Sequence, residues 1–109
     1  MILFVDLDNT ICTTVDGDYE QSFVDPLVNQ PVINKVNRIY DNGHTVIIWT
    51  ARGTTTGISW LELTSEQLQS WGVRYTELRI GKPEYTLFID DKALTPEDWL
   101  KTGDDFRSL

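Results

Sequence analysis

Four short apolar runs, separated by stretches with a helical pattern, are the feature that most limits the folds open to this chain. Three of the runs are almost uninterrupted, which is typical of strands that are buried on both faces of a parallel sheet. We therefore predict strands at residues 2–5, 45–49, 73–76 and 86–89.

Apolar spacing and cap residues together predict three helices, two between these runs and one after the last. The first helix has its apolar face at Val32, Ile33, Val36, Ile39 and Tyr40. Thr64 and Gln67 have the spacing of a capping box for the second helix, and Thr95 is in place to cap the third. Strands that alternate with helices predict a small α/β domain, a doubly wound sheet with short parallel strands.

Chain length and composition restrict the organisation of the protein. The 109 residues have room for one hydrophobic core, so residues 1–109 are predicted to form a single domain. No apolar run approaches the roughly 20 residues that cross a bilayer, so we expect no membrane partner. The single cysteine, Cys12, cannot form an internal disulfide and suits the reducing cytoplasm. A net charge of −8 argues against nonspecific nucleic-acid binding but permits a phosphorylated substrate beside a bound cation.

Polar residues suited to chemistry follow each predicted strand. These segments are residues 6–10 (Asp-Leu-Asp-Asn-Thr), residues 50–53 (Thr-Ala-Arg-Gly), Lys82 and the pair Asp90–Asp91. The carboxyl ends of parallel strands share one edge of a sheet, where such folds bind their ligands. A carboxylate after a strand is by itself more often a turn former or a helix cap. Four of them at one edge would repel one another unless a hard cation such as Mg²⁺ lay between them.

The order of these four motifs resembles the haloacid dehalogenase (HAD) superfamily of phosphohydrolases, over residues 2–91. The surroundings at residues 48–52 and 88–92 are similar to those of small members associated with polysaccharide biosynthesis or found in phages. The resemblance implies a Rossmann-like, HAD-like fold. Residues 11–30 and 53–79 are too short to hold the cap domain of larger members, and residues 12–24 could at most form a β-flap.

The resemblance also implies catalytic roles. Asp6 would be the nucleophile that forms an aspartyl-phosphate, and Asp8 would act as general acid and then general base. Thr50 would hold a phosphoryl oxygen, and Lys82 would neutralise charge on the phosphoryl group and on Asp6.

Metal and substrate contacts follow from the same resemblance. Mg²⁺ would bind Asp6, the backbone carbonyl of Asp8 and the Asp90–Asp91 pair, either of which could be the direct ligand. The predicted substrate contacts are Asn9, Ala51 and Arg52, although an exposed salt bridge explains Arg52 at least as well. Asn9 stands where the family commonly has glycine, and asparagine tolerates the left-handed backbone that this turn needs.

The sequence thus predicts a cytoplasmic, magnesium-dependent phosphatase of a small phosphorylated metabolite, either a sugar phosphate or a nucleotide. Two alternatives stay open: a phosphatase of a polynucleotide end or a phosphoprotein, and a catalytically silent binding module. Asp8 favours phosphoryl transfer over carbon–halogen cleavage, and the motif order disfavours a receiver domain. Because only residues 83–85 separate Lys82 from the last predicted strand, we expect uncovered apolar sheet surface and a two-fold homo-oligomer.

Overall fold

The computed structural model describes residues 1–13 and 26–104. These residues form five strands and three helices. The strands are β1 (Ile2–Asp6), β2 (Cys12–Thr13), β3 (Leu27–Val28), β4 (Thr45–Trp49) and β5 (Glu77–Arg79). The helices are α1 (Gln30–Asp41), α2 (Leu61–Ser70) and α3 (Pro96–Leu100).

The main sheet has three parallel strands in the order β1-β4-β5. Phe4 pairs with Ile47, and Asp6 pairs with Trp49, so the ends of β1 and β4 lie side by side. Strands β2 and β3 form a separate antiparallel pair. A small α/β domain with a short parallel sheet is thereby confirmed.

One face of the main sheet carries the hydrophobic core. Side chains alternate between the two faces of a strand, so Val5, Val46 and Ile48 lie on the same face. They pack with the apolar stripe of α1 and with Leu68 of α2. Trp99 of α3 joins the same cluster, so all three helices contribute to the core on this face.

Among the described residues, the opposite face of the sheet is bare along β1, although Ile47 of β4 is buried there. Ile2 is 70% exposed and Phe4 is 52% exposed, although both are large apolar residues of β1. The connections β1-α1-β4 and β4-α2-β5 step in the same direction across the sheet, which places right-handed crossovers on one face. The doubly wound arrangement is therefore not formed by these three strands, and it would need a further strand beyond β1.

The first and third helices form where the sequence places them. Helix α1 buries Val32, Ile33, Val36 and Ile39 and has Pro31 in its first turn, as predicted, while Tyr40 stays exposed. Thr95 caps α3 by accepting a hydrogen bond from the Asp98 backbone N–H at 3.1 Å. The sequence predicts both helices because their signals are local: a cap residue at the start of a helix and an apolar stripe along it.

The capping prediction for the second helix is wrong. Helix α2 begins at Leu61, and its N-cap residue is Trp60, which makes no side-chain cap hydrogen bond. Thr64 and Gln67 instead lie inside the helix, and both are buried. Residues three apart share one helix face, so the spacing of a capping box equally suits two side chains that contact one buried group.

The last two predicted strands also differ from the structure. The third strand lies at Glu77–Arg79 rather than at residues 73–76. Residues 86–89 form no strand, and Leu87 and Ile89 are 73% and 88% exposed.

The physical reason is the length of the link to residues 86–89. A parallel neighbour of β1 must start at the amino-terminal edge of the sheet, about 16 Å back along a five-residue strand. Lys82 is tied to the carboxyl-terminal edge by a 3.1 Å hydrogen bond from its backbone N–H to the Thr50 carbonyl. Residues 83–85 then reach at most about 11 Å. Parallel crossovers usually need a dozen residues, so a link of three residues is too short.

The predicted flap at residues 12–24 is described only where it begins. Cys12 and Thr13 pair with Val28 and Leu27, and residues 14–25 lie outside the described part of the chain. In residues 1–13 and 26–104, no helix has the length and apolar character needed to cross a bilayer.

Candidate active site

A cleft lies at the carboxyl-terminal edge of the main sheet, where ligands bind in such folds. Its volume is about 490 Å³. It is lined by Asp6, Asp8, Asn9, Ala51, Lys82, Pro83, Glu84 and Tyr85. Five of the residues predicted from the sequence therefore meet in one cavity: Asp6, Asp8, Asn9, Ala51 and Lys82.

The carboxylate of Asp6 and the ammonium of Lys82 form an ion pair in the cleft. The Asp6 Oδ1 to Lys82 Nζ distance is 3.4 Å, and the side chains are 38% and 12% exposed, respectively. Partial burial raises the pKa of Asp6 above its usual value of 3.8, and the positive charge of Lys82 opposes that rise. An accessible carboxylate with a cation beside it is a suitable nucleophile for an anionic substrate.

Backbone contacts fix the position of Lys82. Its backbone N–H donates to the Thr50 carbonyl at 3.1 Å, and its own carbonyl accepts from the Thr54 hydroxyl at 2.8 Å. The ammonium lies 5.9 Å from the centre of the Trp49 ring and 5.3 Å from that of Tyr85. Both distances allow a cation–π attraction. The two rings therefore help to hold the Lys82 ammonium at the cleft, where Asp6 is its carboxylate partner.

A tight turn after β1 presents the acidic residues. The Leu7 carbonyl accepts hydrogen bonds from the backbone N–H groups of Thr10, Ile11 and Cys12. Asn9 has φ of 66°, so the predicted left-handed backbone is confirmed. The turn brings Asp6, Asp8 and Asn9 to the same cavity.

Asp8 forms a buried ion pair with Arg52. Nε and Nη2 of Arg52 donate to Oδ2 and Oδ1 of Asp8 at 3.0 and 2.9 Å, a two-bond contact between planar groups. The side chain of Arg52 is 0% exposed and that of Asp8 is 11% exposed. The alternative that Arg52 makes an exposed salt bridge is therefore wrong, since the pair is buried. The guanidinium lies beneath Asp8, and Arg52 does not line the cleft.

Helix α2 and the thiol of Cys12 hold the rest of the Arg52 guanidinium. Nη1 donates to Thr64 Oγ1 at 3.0 Å and to Gln67 Oε1 at 2.6 Å. Nη2 also lies 3.9 Å from Cys12 Sγ. All five N–H donors of the guanidinium thus have a partner, as a buried arginine requires.

Gly53 allows the chain to leave Arg52 at this depth. Its φ is 79°, and a Cβ atom there would lie 2.0 Å from the carbonyl oxygen of Ile58. A side chain at this position would therefore push the 53–58 loop away from the end of β4.

Thr50 lies below the cleft and does not line it. The residue is buried, and its hydroxyl accepts a hydrogen bond from the Arg52 backbone N–H at 3.1 Å. Its predicted contact with a phosphoryl oxygen stays a prediction, because no phosphate position is defined by these contacts.

The Asp90–Asp91 pair does not line the cleft. Both residues are exposed, and Asp90 accepts a hydrogen bond from the Lys92 backbone N–H at 2.7 Å, which is a local turn. The expected convergence of four carboxylates is therefore absent here, since residues 86–89 do not join the sheet beside β1.

The described residues do not fit a magnesium site as they stand. Across residues 1–13 and 26–104, no three His, Cys, Asp or Glu side chains are grouped to hold a metal ion. Asp6 pairs with Lys82 and Asp8 pairs with Arg52, so each carboxylate already has a cationic side chain as its partner. The magnesium site stays a prediction.

Several site residues were missed from the sequence. Glu84 and Tyr85 line the cleft, and Thr64, Gln67 and Cys12 surround the Arg52–Asp8 pair. Thr64 and Gln67 did carry a signal, namely two polar residues on the same helix face as the buried Leu68. Glu84 and Tyr85 gave none, because only the path of the loop after Lys82 brings them to the cavity.

The comparisons with known proteins support the fold and carry no functional name. A solved structure of a structural-genomics target from Vibrio cholerae is similar, with a TM-score of 0.81 and 28% sequence identity. The match covers 94% of this chain and 89% of that one. No family model and no curated protein matches the sequence.

Proposed function

We propose that this chain hydrolyses phosphate monoesters of small metabolites through a covalent intermediate on Asp6. The observation that carries the proposal is the Asp6–Lys82 pair, with 3.4 Å between Oδ1 and Nζ, inside a cleft that Asp8 also lines. The two acids come from the end of β1 and the turn after it, and the cation comes from the distant loop after β5. These groups meet at the carboxyl-terminal edge of a parallel sheet, where such folds bind ligands. A catalytic site therefore explains their convergence better than a surface salt bridge would.

Two displacements describe the proposed reaction. A carboxylate oxygen of Asp6 attacks phosphorus, the ester P–O bond breaks, and Asp8 gives a proton to the departing oxygen. Water then attacks the aspartyl-phosphate, Asp8 takes a proton from that water, and the bond between phosphorus and Asp6 breaks to release phosphate. Lys82 lowers the repulsion between the Asp6 carboxylate and the incoming phosphate throughout.

The lining of the cleft favours a small polyhydroxylated or planar leaving group. Tyr85 offers an exposed aromatic ring, and Glu84 offers a hydrogen-bond acceptor for hydroxyl groups. The carboxylate of Glu84 disfavours a second phosphate nearby, as does the net charge of −8. These features support a sugar phosphate or nucleoside monophosphate over a polynucleotide end.

Hydrolysis of an aryl phosphate tests the proposal. Asp6→Asn should lower kcat by more than about 10³-fold, since the loss of a nucleophile removes the covalent route. Asp41→Asn is the matched control, because Asp41 pairs with Arg74 on the surface. Native-like circular dichroism of Asp6→Asn would attribute the loss to chemistry. Wild-type protein without turnover would favour a silent binding module, and Asp6→Asn at about the wild-type rate would refute covalent catalysis.

Magnesium dependence is proposed from the resemblance and has a separate test. Turnover should disappear in EDTA and return with added Mg²⁺, since a hard cation offsets the charge of phosphate and carboxylate. Full activity in EDTA would contradict the cofactor while leaving the role of Asp6 intact. A screen of sugar phosphates, nucleoside monophosphates and a 3′-phosphorylated oligonucleotide would then identify the substrate class.

A further inference from the structure

We infer that Arg52 is a positioning residue: it fixes the carboxylate of Asp8 in the orientation needed for proton transfer, and the Thr64–Gln67 face of α2 fixes Arg52 in turn. The inference rests on the proposed function. It assigns Arg52 a role different from the substrate contact that the sequence predicts.

The geometry of the ion pair restricts the plane of the Asp8 carboxylate. Donors at 3.0 and 2.9 Å bind both of its oxygens from the same guanidinium, so rotation about the carboxyl bond would break two charge-assisted hydrogen bonds. Oδ1 also accepts from the Cys12 thiol at 3.5 Å, whereas Oδ2 keeps a further lone pair, and Asp8 borders the cleft. Arg52 thus fixes the carboxylate at the border of the cleft.

Arg52 cannot easily turn away from Asp8. Its side chain is fully buried, and Thr64 and Gln67 accept both hydrogens of Nη1. A helix is a rigid support, since its backbone hydrogen bonds lie within one segment. Asp8 is thereby coupled to α2, although residues 61–70 themselves are outside the lining of the cleft.

Stability alone is a weak explanation for this pair. Removing two charges from water costs more than their attraction usually returns, so apolar residues of similar volume often serve a fold better. A comparable pair occurs on the surface, where Arg74 Nε and Nη2 contact both oxygens of Asp41 at 2.8 and 2.5 Å. The buried pair differs in its location, because Asp8 lies two residues after Asp6 and borders the proposed reaction centre.

Two esters with different leaving groups separate positioning from general structural support. p-Nitrophenyl phosphate releases a stable anion and needs little help from a general acid, whereas phenyl phosphate needs more. Arg52→Met should lower kcat/KM for phenyl phosphate by about 10²-fold or more, the range of general acid–base catalysis, with KM little changed. The loss for p-nitrophenyl phosphate should be clearly smaller.

A double variant adds a second readout. If Arg52 acts through Asp8, then Arg52→Met should cause little further loss in an Asp8→Asn background, because residues that act as a unit are not additive. Arg74→Met is the control, since it removes the same two-bond contact from an exposed site. It should leave both esters unchanged.

A milder variant decides the matter if Arg52→Met fails to fold. Gln67→Leu keeps the Arg52–Asp8 pair and removes one bond that holds the guanidinium. It should reproduce the leaving-group pattern at about 10-fold, the low end for an outer partner of a functional group. Equal losses with both esters, additive losses with Asp8→Asn or no loss would each overturn the inference.

The outcomes distinguish the inference from the proposed function. Wild-type protein without turnover, or Asp6→Asn with turnover, would overturn both. Asp6-dependent turnover without the leaving-group pattern would overturn only the role of Arg52.

Discussion

Asp6 and Cys12 lie at the two ends of the turn that joins β1 to β2, yet their surroundings give them different reactivity. The Asp6 carboxylate opens into the cleft beside Lys82, whereas the Cys12 side chain is buried beneath Asp8. Burial raises the pKa of both groups, and a neighbouring cation opposes each rise, namely Lys82 at Asp6 and Arg52 at Cys12.

The titration of Asp6 should respond to Lys82. A nucleophilic carboxylate must be ionised, so kcat/KM should fall as the pH drops through the Asp6 pKa, which lies above 3.8 because of burial. Lys82 lowers that pKa, so Lys82→Met should move the acid limb to higher pH. Carbon-13 NMR of the Asp6 carboxyl carbon measures the shift directly, independently of turnover.

Lys92→Met is the control for this titration, because Lys92 is exposed and does not line the cleft. It should leave the Asp6 titration in place. An unchanged Asp6 pKa in Lys82→Met would mean that the two side chains do not interact in solution.

The Cys12 thiol should be inert in the folded protein. Burial raises its pKa to about 12, and the charge of Asp8 adds to that rise. At pH 8 only about one molecule in 10⁴ would carry the reactive thiolate. Iodoacetamide should therefore leave the native protein unmodified and label it fully in guanidinium chloride. Rapid labelling of the native state would show that the turn at residues 7–12 opens.

At the scale of elements, helix α3 depends on one side chain from α1. Lys35 is buried, and its ammonium donates to the carbonyls of Trp99 and Thr102 and to the Thr102 hydroxyl. The ammonium also lies 4.8 Å from the centre of the Trp99 ring. A five-residue helix cannot persist alone, so these contacts and the burial of Trp99 hold it against α1.

Lys35→Met should destabilise the protein by about 1–3 kcal/mol, because the buried carbonyls lose their donor. In a domain of this size each kcal/mol corresponds to roughly 4–8 °C in Tm. Thermal unfolding followed by circular dichroism measures the change. Lys101→Met is the matched control, since Lys101 is exposed at the end of the same helix. A Tm within about 1 °C of wild type for Lys35→Met would show that water replaces the ammonium.

The elements also explain which strands the sequence could predict. Strand β4 forms at the predicted residues, and β1 extends only one residue further, because each is a continuous apolar run between clear helices. Residues 86–89 are equally apolar but remain exposed, because Lys82 ties the preceding loop to the opposite edge of the sheet. Apolar character specifies a preference for burial, whereas chain length decides whether a partner can be reached.

At the scale of the whole molecule, the bare face of the sheet is the most conspicuous surface. Exposed apolar side chains occur on β1, in the loop after β5 and in residues 85–89. Leu27 and Val28 of β3 are also exposed. Exposed apolar surface of this kind is typical of an interface.

We expect a two-fold homodimer in solution. Burying apolar area contributes about 25 cal/mol per Å², so a standard interface of about 1,600 Å² can hold two copies together. Light scattering should give twice the chain mass of 12.5 kDa at micromolar concentration. Ile2→Glu should restore the monomer, because a charge on the bare face cannot be buried without cost.

Tyr40→Glu is the control for assembly, since Tyr40 is an exposed residue of α1 on the helical side. It should leave the mass unchanged. A wild-type mass of 12.5 kDa would mean that the protein works with this face in water.

The sequence by itself determined the local features of this protein. Apolar runs and caps determined β1, β4, α1 and α3, and the left-handed turn at Asn9 followed from its own side chain. The position of polar residues after strands also predicted that Asp6, Asp8 and Lys82 share a cleft. Each of these depends on neighbours within a few residues, or on the rule that parallel strands end at one edge.

Only the tertiary structure decided which groups meet at a distance. Arg52 lies beneath Asp8, and its guanidinium donates hydrogen bonds to Thr64 and Gln67. Residues 86–91 lie outside the lining of the cleft. The five N–H donors of a buried guanidinium need acceptors, which here come from the turn after β1, from strand β2 and from helix α2. No local pattern specifies such a set. The path of the chain around Lys82 likewise depends on its hydrogen bonds to Thr50 and Thr54. These contacts form between segments that only the folded chain brings together.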